Sequence, residues 1–384
     1  MVKILEDIKV IEIGTYITGP AAAMHLADLG ADVIKVERPE SGDPFRAFKG
    51  GLYSPHYQTY NRNKRSIALD TKKPDDFQVF SDLIRGADVF IQNFRPGVAE
   101  KLGVGAAALL DINPKLIYCA ISGFGPDGPY RDRPSFDTVA QAASGYLRLL
   151  TPPKNPRVIG PAIADSVTGQ YAALGILAAL MERTKTGQGR RLDISMLEAM
   201  THFNLDSFTH YYSANEVMGP LSRPVVSQSY TFECRDGKWV AIHMSSPTKF
   251  WEGFLAATGQ SVLKDDPRFA DRLVRIQHQD EMIEIFTPIF LTQTRDIWCS
   301  RLETAEVPHS PAYDADEALE DPQALHLHLK VQAEHPTMGR FTTVRAPYNF
   351  DGEPELTVSP PPTLNQHSTE IREELRVRKT ASAH

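Results

Sequence analysis

One acidic residue, Asp165, lies where a segment rich in glycine and proline passes into a long apolar run. The stretch GPAIADSVTGQYAALGILAALMERTKTGQG covers Gly160–Gly189, and its apolar residues recur at helical spacing from Val167 onward. Asp165 is therefore suited to cap a helix by accepting hydrogen bonds from backbone N–H groups of the first turn. The same helix start would favour an ionised carboxylate, and such a carboxylate facing a cleft can attack an activated acyl group. The local sequence favours the cap and leaves the nucleophile open.

A second motif, GFGPDG at Gly123–Gly128, has the GxGxxG spacing of dinucleotide-binding loops and follows a predicted strand. A dinucleotide fingerprint must also open a helix, whereas Pro126 and Pro129 interrupt the backbone here. The motif therefore predicts a loop at a strand end, where ligands of parallel sheets bind. A nicotinamide-dependent oxidoreductase remains a distant alternative.

Basic residues cluster near the predicted strand ends of the first half, although the net charge is −7. A local positive rim on an acidic protein suits a phosphorylated small ligand, and a solvated loop is the alternative for the stretch NRNKRS. The residues concerned are Arg38, Arg62, Lys64, Arg65, Arg95 and Lys101.

Composition excludes several classes of protein. The acidic balance offers no electrostatic footprint for nucleic acid, and no apolar run approaches the ~18 uninterrupted residues of a membrane span. The N-terminus, with acids among its apolar residues, indicates a strand and not a signal peptide. Three scattered cysteines favour reduced thiols in a cytoplasmic protein, and the pair His326 and His328 lacks a third ligand nearby, so no metal site is expected.

Strand and helix signals alternate through the first half of the chain. Runs such as IKVIEIG, ADVIKVER, ADVFIQNF and LIYCAIS are separated by helices of ten to fifteen residues, which predicts an α/β fold with a parallel sheet covered on both faces. After about Phe203 a turn-rich stretch precedes a hairpin around Asp236-Gly237 and several helical segments, typical of a smaller α+β domain.

Taken together, these segments resemble class III CoA-transferases, the family of formyl-CoA:oxalate and carnitine CoA-transferases that also includes α-methylacyl-CoA racemases. The resemblance covers almost the whole of the first two hundred residues, and PPPTLNQHSTEI resembles the family's C-terminal segment. Its motifs are VIEIGTYITGPAAAMHLADLGADVIKVERPESGDPFR, NRNKRSIALD, ADVFIQNFRPG, NPKLIYCAISGFG, FDTVAQAASG and ADSVTGQYAALGILAALMERTKTGQGRRLDISM.

The resemblance implies a Rossmann-like, parallel-sheet large domain formed by both chain ends, with an inserted smaller α+β domain, in an interlocked homodimer. On this basis we expect a large CoA-binding domain at 1–205, a linker at 206–221, a small domain at 222–318, and a linker and C-terminal return at 319–384.

The resemblance also implies the chemistry. Asp165 matches the family's catalytic aspartate, which attacks an acyl-CoA thioester and passes CoA to a free carboxylic acid through covalent aspartyl intermediates. Phe136 and Asp137 would line the active site. The implied CoA-binding positions are Ile17, Thr18, Arg38, Leu69, Lys72, Asn93, Phe94 and Lys101.

Departures from the family patterns narrow the expected activity. Racemases carry a histidine base where this chain has Phe136, and phenylalanine cannot abstract a proton, so a racemase is the runner-up. Formyl-CoA transferases carry glutamine in place of Ile17, tyrosine in place of Phe136, and a glycine-rich loop that has no match between Pro220 and Ser246. We therefore expect a CoA-transferase acting on an acyl-CoA and a small carboxylic acid of unspecified identity.

Overall fold

A six-stranded parallel sheet forms the centre of the larger part of the protein. In the computed structural model, which describes residues 3–245 and 248–382, the strand order is β3-β2-β1-β4-β5-β6 and neighbouring strands run parallel. The sheet strands are β1 Lys9–Glu12, β2 Asp32–Glu37, β3 Lys64–Ala68, β4 Val89–Gln92, β5 Ile117–Ser122 and β6 Arg190–Ser195. After β3 the chain returns to pair β4 with β1, so the strand order reverses between β1 and β4, which is where such sheets bind ligands.

The remaining strands are short and antiparallel. They are β7 Ser229–Glu233, β8 Trp239–His243, β9 His309–Ala312, β10 Lys330–His335, β11 Gly339–Val344, β12 Asn349–Phe350 and β13 Glu353–Pro354.

Helices follow most strands. They are α1 Thr18–Asp28, α2 Pro55–Tyr60, α3 Pro74–Arg85, α4 Val98–Lys101, α5 Ala106–Ile112, α6 Asp137–Ala143, α7 Tyr146–Leu150, α8 Ile163–Thr186, α9 Met196–Phe203, α10 Leu205–Ala214, α11 Ser222–Ser227, α12 Thr248–Thr258, α13 Arg272–Gln277, α14 Gln279–Phe290, α15 Arg295–Thr304, α16 Ala315–Ala318, α17 Pro322–His326 and α18 Ser368–Ser382, with short 3-10 turns at Pro44–Ala47 and Ser261–Asp265.

Both faces of the six-stranded sheet are covered, as the near-continuous apolar strands predict. Alanines and leucines of α1 and α8 cover one face. Aromatic and aliphatic residues of α3 and α5 cover the other, together with Ile371 and Leu375 of α18. The C-terminal helix thus completes the core begun by the first strands, and the larger unit is built from 1–147, 158–205 and 326–384. The expected α/β class with a parallel sheet is confirmed.

Helix α8 approaches α1 unusually closely because of one glycine. A Cβ atom on Gly169 would lie 2.8 Å from the Cβ of Ala21 and 3.1 Å from the carbonyl oxygen of Thr18. Glycine is required at such a close approach, since a larger residue would push the helices apart. Gly169 lies one helical turn after Asp165, so this contact holds the start of α8 beside the first strand–helix loop.

The smaller unit comprises 148–157 and 206–325. Its antiparallel sheet has the order β7-β8-β9, and the predicted hairpin at Asp236-Gly237 is confirmed by the pairing of Glu233 with Trp239. Its core is largely aromatic, with Phe254, Phe286 and Phe290 fully buried.

Some expectations were wrong in detail. The stretch around Tyr211, predicted to be rich in turns, lies in α10. His326 ends α17, and His328 two residues later has a positive φ of 51°. Within the described ranges, no group of histidines, cysteines and acids is arranged to hold a metal ion. Helix α8 is long and apolar enough to span a membrane by composition, but half of its most apolar window is buried against the protein, as in a core helix.

Candidate active site

The loop after β1 is held by the loop after β4. The side chain of Asn93 accepts a hydrogen bond from the Thr15 N–H at 2.9 Å and donates to the Thr15 carbonyl at 2.7 Å and to Thr18 Oγ1 at 2.9 Å. Gly14 and Gly19 allow this closeness, since a Cβ on Gly14 would lie 3.2 Å from the Cα of Gly19. Asn93, predicted to bind CoA, therefore uses its amide to position the loop and leaves its backbone for a ligand.

Tyr16 in this loop has a left-handed backbone conformation, with φ of 63°. This conformation is uncommon for a residue with a side chain and persists when its surroundings enforce it. The enforcing contact is a hydrogen bond from the Tyr16 N–H to Asp43 Oδ1 at 3.1 Å. The Tyr16 ring lies edge-on to Phe45 and to Phe136, with centroids 5.2 and 6.0 Å apart.

A fully buried cluster of charges supports the loop from below. Lys35 Nζ lies 2.9 Å from Glu12 Oε1 and 3.0 Å from Asp43 Oδ2, and it donates to the Gly14 carbonyl at 2.9 Å. Lys64 Nζ lies 3.1 Å from the other oxygen of Glu12, and these ion-paired side chains are 0 % exposed. Burial lowers the pKa of Lys35, but the Glu12, Asp43 and Glu37 carboxylates outweigh it and raise the pKa overall, so the ammonium stays charged.

Asp165 is the third residue of α8 and is not its cap, contrary to the expectation from local sequence. The residue before the helix, Ala162, makes no side-chain cap either. Asp137, at the start of α6, caps helix α8 instead. Its Oδ1 accepts hydrogen bonds from the N–H groups of Ala164 at 2.8 Å and of Asp165 at 3.3 Å, although Asp137 lies 27 residues before Ala164 in the chain. Asp137 Oδ2 is held by Gln141 Nε2 at 2.6 Å.

The Asp165 carboxylate is thereby left without a hydrogen bond or ion pair to any side chain in the described ranges. Burial, and then the negative charge of Asp137, raise the pKa of Asp165 to about 7. The helix start was expected to favour the ionised form, but the pKa of Asp165 is raised instead, because the group is buried and the Asp137 carboxylate lies beside it. A partly buried, unpaired carboxylate with a pKa close to neutrality is typical of a reactive group.

A small cleft of about 90 Å³ brings Asp165 together with four of the predicted ligand-binding positions. They are Ile17, Thr18, Asn93 and Phe94, which share the cleft with Tyr16, Ser122, Ser135, Met196 and the arginines 95, 131 and 133. Strand ends β1, β4 and β5 and the start of α8 thus converge on the carboxylate.

Two larger cavities adjoin this cleft, and Phe94 lines all three. The first, of about 540 Å³, contains the predicted positions Arg38, Leu69 and Lys72, with Lys73 beside them. The second, of about 600 Å³, lies along β4, β5 and β6 and shares Arg95, Arg131 and Ser122 with the cleft. Three cations and four carboxylates line the first cavity, and Phe94 is the residue that it shares with the Asp165 cleft.

Three predicted positions, Lys101, Phe136 and Asp137, lie apart from these linings. Lys101 is exposed at the end of α4 and lines none of the three cavities, although its neighbour Leu102 lines the first. Phe136 is 62 % exposed and reaches the cleft through its contact with Tyr16. No base replaces the racemase histidine at position 136.

The predicted positive rim forms only in part. Arg62 pairs with Asp28 at 2.6 Å, Arg65 with Asp32 at 2.7 Å, and Lys64 is buried against Glu12. These three cations precede β3 or lie at its start, and structural carboxylates neutralise them. Arg38 and Lys72 make no ion pair with any described residue and remain available to an anion.

Sequence reasoning missed several residues of the site. Tyr60 lies near Asp165 and Ser166, and its pKa is raised by burial and by the Asp165 and Asp137 carboxylates. Arg131 and Arg133 reach the cleft from the loop after β5. Their signal was their position just before Phe136, in the stretch YRDRPSFD, but only the folded loop shows that they line the cleft of Asp165.

The fold and site together define an α/β protein in which a cavity lined by Arg38 and Lys72 shares Phe94 with the cleft of Asp165. The family model described as CoA-transferase family III matches residues 5–368, and the chain belongs to this family. It is accordingly a class III CoA-transferase.

Named relatives agree with this assignment. Succinyl-CoA–D-citramalate CoA-transferase of Chloroflexus aurantiacus is 33% identical over 374 residues, which cover 96% of this chain and 92% of that protein. Human succinyl-CoA:glutarate CoA-transferase is 31% identical over 391 residues, covering 97% and 86%. Among solved structures, a CAIB/BAIF family protein of Brucella suis superposes with a TM-score of 0.86 at 31% identity, covering 96% of this chain and 98% of that one.

Proposed function

We propose that the protein transfers CoA reversibly between an acyl-CoA and a free carboxylic acid, with Asp165 as a covalent nucleophile. The observation that carries this proposal is the Asp165 carboxylate, which is unpaired within the described ranges and lies in a cleft that shares Phe94 with the cavity of Arg38 and Lys72. A group held only for structure would be expected to spend its oxygens on hydrogen bonds.

The cavity of about 540 Å³ is the proposed site of the nucleotide end of CoA. Arg38, Lys72 and Lys73 would hold its phosphates, because their side chains have no carboxylate partner in the part of the chain that the structure describes. The thiol arm would pass Phe94 and the Asn93–Thr15 contact to reach Asp165. Ile17 and Thr18 are buried and would contact the arm mainly through their backbone.

The proposed chemistry proceeds in four balanced steps. An Asp165 oxygen attacks the thioester carbonyl, the C–S bond breaks, and an acyl-aspartyl anhydride and CoA thiolate result. The thiolate attacks the aspartyl carbonyl and releases the first acid as a carboxylate, leaving an aspartyl-CoA thioester. The acceptor carboxylate then attacks this thioester, and the expelled thiolate attacks the acceptor's acyl carbonyl, which gives the new acyl-CoA and free Asp165.

Trapping tests the covalent step directly. Incubation with succinyl-CoA and hydroxylamine is expected to convert Asp165 to its hydroxamate, since hydroxylamine attacks the activated aspartyl carbonyl. Peptide mass spectrometry should place the modification on the peptide that contains Asp165 and on no other acidic residue. Transfer that proceeds with an unmodified Asp165 under these conditions would contradict the proposal.

The Asp137 carboxylate gives a pH-dependent prediction. Only ionised Asp165 can attack, so kcat/KM is expected to rise with pH through about 7, the pKa of Asp165. Asp137→Asn removes the neighbouring negative charge while its amide oxygen can still accept from the helix N–H groups. The acidic limb of the pH profile should then move by about one unit to lower pH. An unmoved limb would show that Asp137 does not control the ionisation of Asp165.

We also propose a cytoplasmic homodimer, interlocked as the family resemblance implies. Leu174 and Met181 on α8 are 62 % and 69 % exposed in the single chain, which supports burial by a second copy. The three cysteines are free, which supports a reducing compartment. A solution mass equal to that of one chain would contradict the dimer.

A further inference from the structure

One wall of the cavity of about 540 Å³ is a short loop after β2, residues 38–43, and all six of its residues line the cavity. This wall loop carries Arg38, a proposed partner of the CoA phosphates. Its backbone turns back on itself, because the N–H of Gly42 donates to the Arg38 carbonyl at 3.1 Å and Gly42 has a left-handed φ of 61°. The fold of the wall loop therefore decides where Arg38 lies in the cavity.

A buried arginine, Arg46, supports the wall loop from inside. Its guanidinium donates to both oxygens of Glu37, from Nε to Oε1 at 2.7 Å and from Nη2 to Oε2 at 2.7 Å. The loop folds closely around this pair, because a Cβ atom on Gly42 would lie 2.7 Å from Arg46 Cδ and 3.0 Å from Glu37 Oε1. The N–H of Asp43, at the end of the loop, donates to the same Glu37 oxygen at 3.0 Å. The wall loop is thus shaped around the Arg46–Glu37 pair.

Arg46 also joins the wall loop to a remote part of the chain. Its Nη1 donates to the carbonyl oxygens of Leu52 and Pro362, each at 3.2 Å. Pro362 belongs to the C-terminal return of the chain, which is fixed to β3 where Asn365 Oδ1 accepts a hydrogen bond from the Ala68 N–H at 2.8 Å. Three acceptors from separate segments therefore fix the plane of one guanidinium.

The wall loop in turn positions the loop that lines the cleft of Asp165. Asp43 Oδ1 accepts a hydrogen bond from the Tyr16 N–H at 3.1 Å, and Tyr16 lines that cleft. The orientation of Asp43 depends on its own N–H bond to Glu37, which Arg46 holds from the other side chain. A displaced Arg46 would therefore disturb both the wall of the cavity and the loop beside the proposed nucleophile.

Resting on the proposed function, we propose that Arg46 is a positioning residue for acyl-CoA, which acts through Glu37 to hold the wall loop and Arg38 in the conformation that receives CoA. Arg46 is fully buried and lines none of the three cavities formed by the described residues, so it does not touch the substrate itself. The role requires the forked guanidinium, because a lysine ammonium is a point charge and cannot bridge both Glu37 oxygens and the Pro362 carbonyl at once. An ion pair kept only for stability would not favour one substrate over the other.

The test is Arg46→Lys, which keeps the charge and removes the fork. Its kcat/KM for succinyl-CoA is expected to fall by at least about 10-fold, because small displacements of a binding loop are costly. Its kcat/KM for glutarate, used as the acceptor probe, should stay within about threefold, because CoA is already covalently bound to Asp165 when the acceptor arrives. Calorimetric titration with free CoA should show a similar weakening of about 10-fold.

Arg183→Lys is the matched control. Arg183 is a half-buried arginine that likewise binds one carboxylate, Asp88 at 2.8 Å, and two backbone carbonyls, those of Asp88 at 3.4 Å and Lys115 at 3.1 Å, but it lines none of these cavities. This variant should leave the affinity for CoA and both values of kcat/KM unchanged within about twofold, even where it lowers the melting temperature.

The outcomes separate this inference from the proposed function. If the wild-type protein binds CoA but transfers none, the proposed function fails, and weaker CoA binding by Arg46→Lys still supports the positioning role. If transfer occurs and Arg46→Lys binds CoA as tightly as the wild-type protein, the inference is wrong and the proposed function stands. Equal loss of kcat/KM for both substrates would assign Arg46 a structural role and overturn the inference.

Gly42→Ala keeps the inference testable if Arg46→Lys does not fold. The added Cβ meets Arg46 Cδ at 2.7 Å and is strained at a φ of 61°, so it displaces the wall loop while the Arg46–Glu37 pair remains. We expect the same selective loss of kcat/KM for succinyl-CoA. A Gly42→Ala protein that binds CoA as tightly as the wild-type protein would overturn the inference.

Discussion

Asp165→Asn is expected to abolish CoA transfer while making the protein more stable at alkaline pH. The amide has nearly the shape of the carboxylate but is a poor nucleophile, so the covalent route is closed. We expect a loss in kcat of at least about 10³-fold, in keeping with the removal of other enzymic nucleophiles. Chromatography of the reaction mixture would measure how fast the second acyl-CoA forms.

The stability gain follows from the sign of the pKa shift. A carboxyl whose folded-state pKa is about 7, against 3.8 as its ordinary value, binds its proton more tightly in the folded protein. Ionised Asp165 therefore costs stability, a cost that grows between pH 4 and 7 and is fully present above pH 7. Removing the charge should raise the free energy of unfolding at pH 8 by about 1 to 3 kcal/mol, less than the full ~1.4 kcal/mol per pKa unit because the group is partly solvated.

Thermal unfolding at pH 8 and pH 4 provides the control for this variant. The gain should be present at pH 8 and nearly absent at pH 4, where the wild-type carboxyl is protonated in the folded state and therefore carries no buried charge. An inactive variant that is also less stable at pH 8 would point to a damaged fold and would remove the support for a functional carboxylate. An active variant would end the nucleophile hypothesis.

Lys35→Met is expected to have the largest effect on stability. The substitution leaves Glu12 with only Lys64 as its ion-pair partner and leaves Asp43 Oδ2 buried with no counter-ion among the described residues. Breaking a buried ion pair on one side typically costs about 3 to 5 kcal/mol, because the remaining charge stays uncompensated. Denaturant unfolding followed by circular dichroism would measure the loss.

The same variant should lose activity beyond its loss of stability. Lys35 holds the Gly14 carbonyl and orients Asp43, which enforces the left-handed backbone of Tyr16. We expect kcat to fall by at least about tenfold in protein that remains folded at low temperature, because small displacements of an active-site loop are costly. Lys249→Met, at an exposed lysine 3.6 Å from Glu306, is the matched control and should cost less than about 1 kcal/mol. A Lys35 variant as mild as this control would contradict the role of the buried charges.

The fold class was predictable because its signals are local. Short apolar runs separated by helical periodicity already indicate parallel strands with covered faces, and the hairpin at Asp236-Gly237 rests on two adjacent residues. The boundaries of the helices and strands were harder to predict. The helix over Leu205–Ala214, for example, includes residues that the sequence analysis assigned to a turn-rich stretch.

The sequence predicted which residues belong to the candidate site better than it predicted what each of those residues does. Asp165, Arg38 and Lys72 were expected and line the cleft or its adjoining cavity. Arg62 and Lys64 were expected at the ligand rim but neutralise structural carboxylates, because the sequence does not show which end of a strand a charge occupies or which partner it meets.

The sequence by itself determined that this is an α/β chain of the CoA-transferase type with an aspartate at the head of a long core helix. Only the tertiary structure decided how that aspartate behaves. Asp137 takes the helix donors from 27 residues away, and Glu12 pairs with a lysine 52 residues away. Capping and ion pairing depend on distances of a few ångströms between residues remote in the chain, and the packing of α8 on α1 sets those distances. The partly buried, unpaired carboxylate of Asp165 in the described structure is therefore a property of the folded protein.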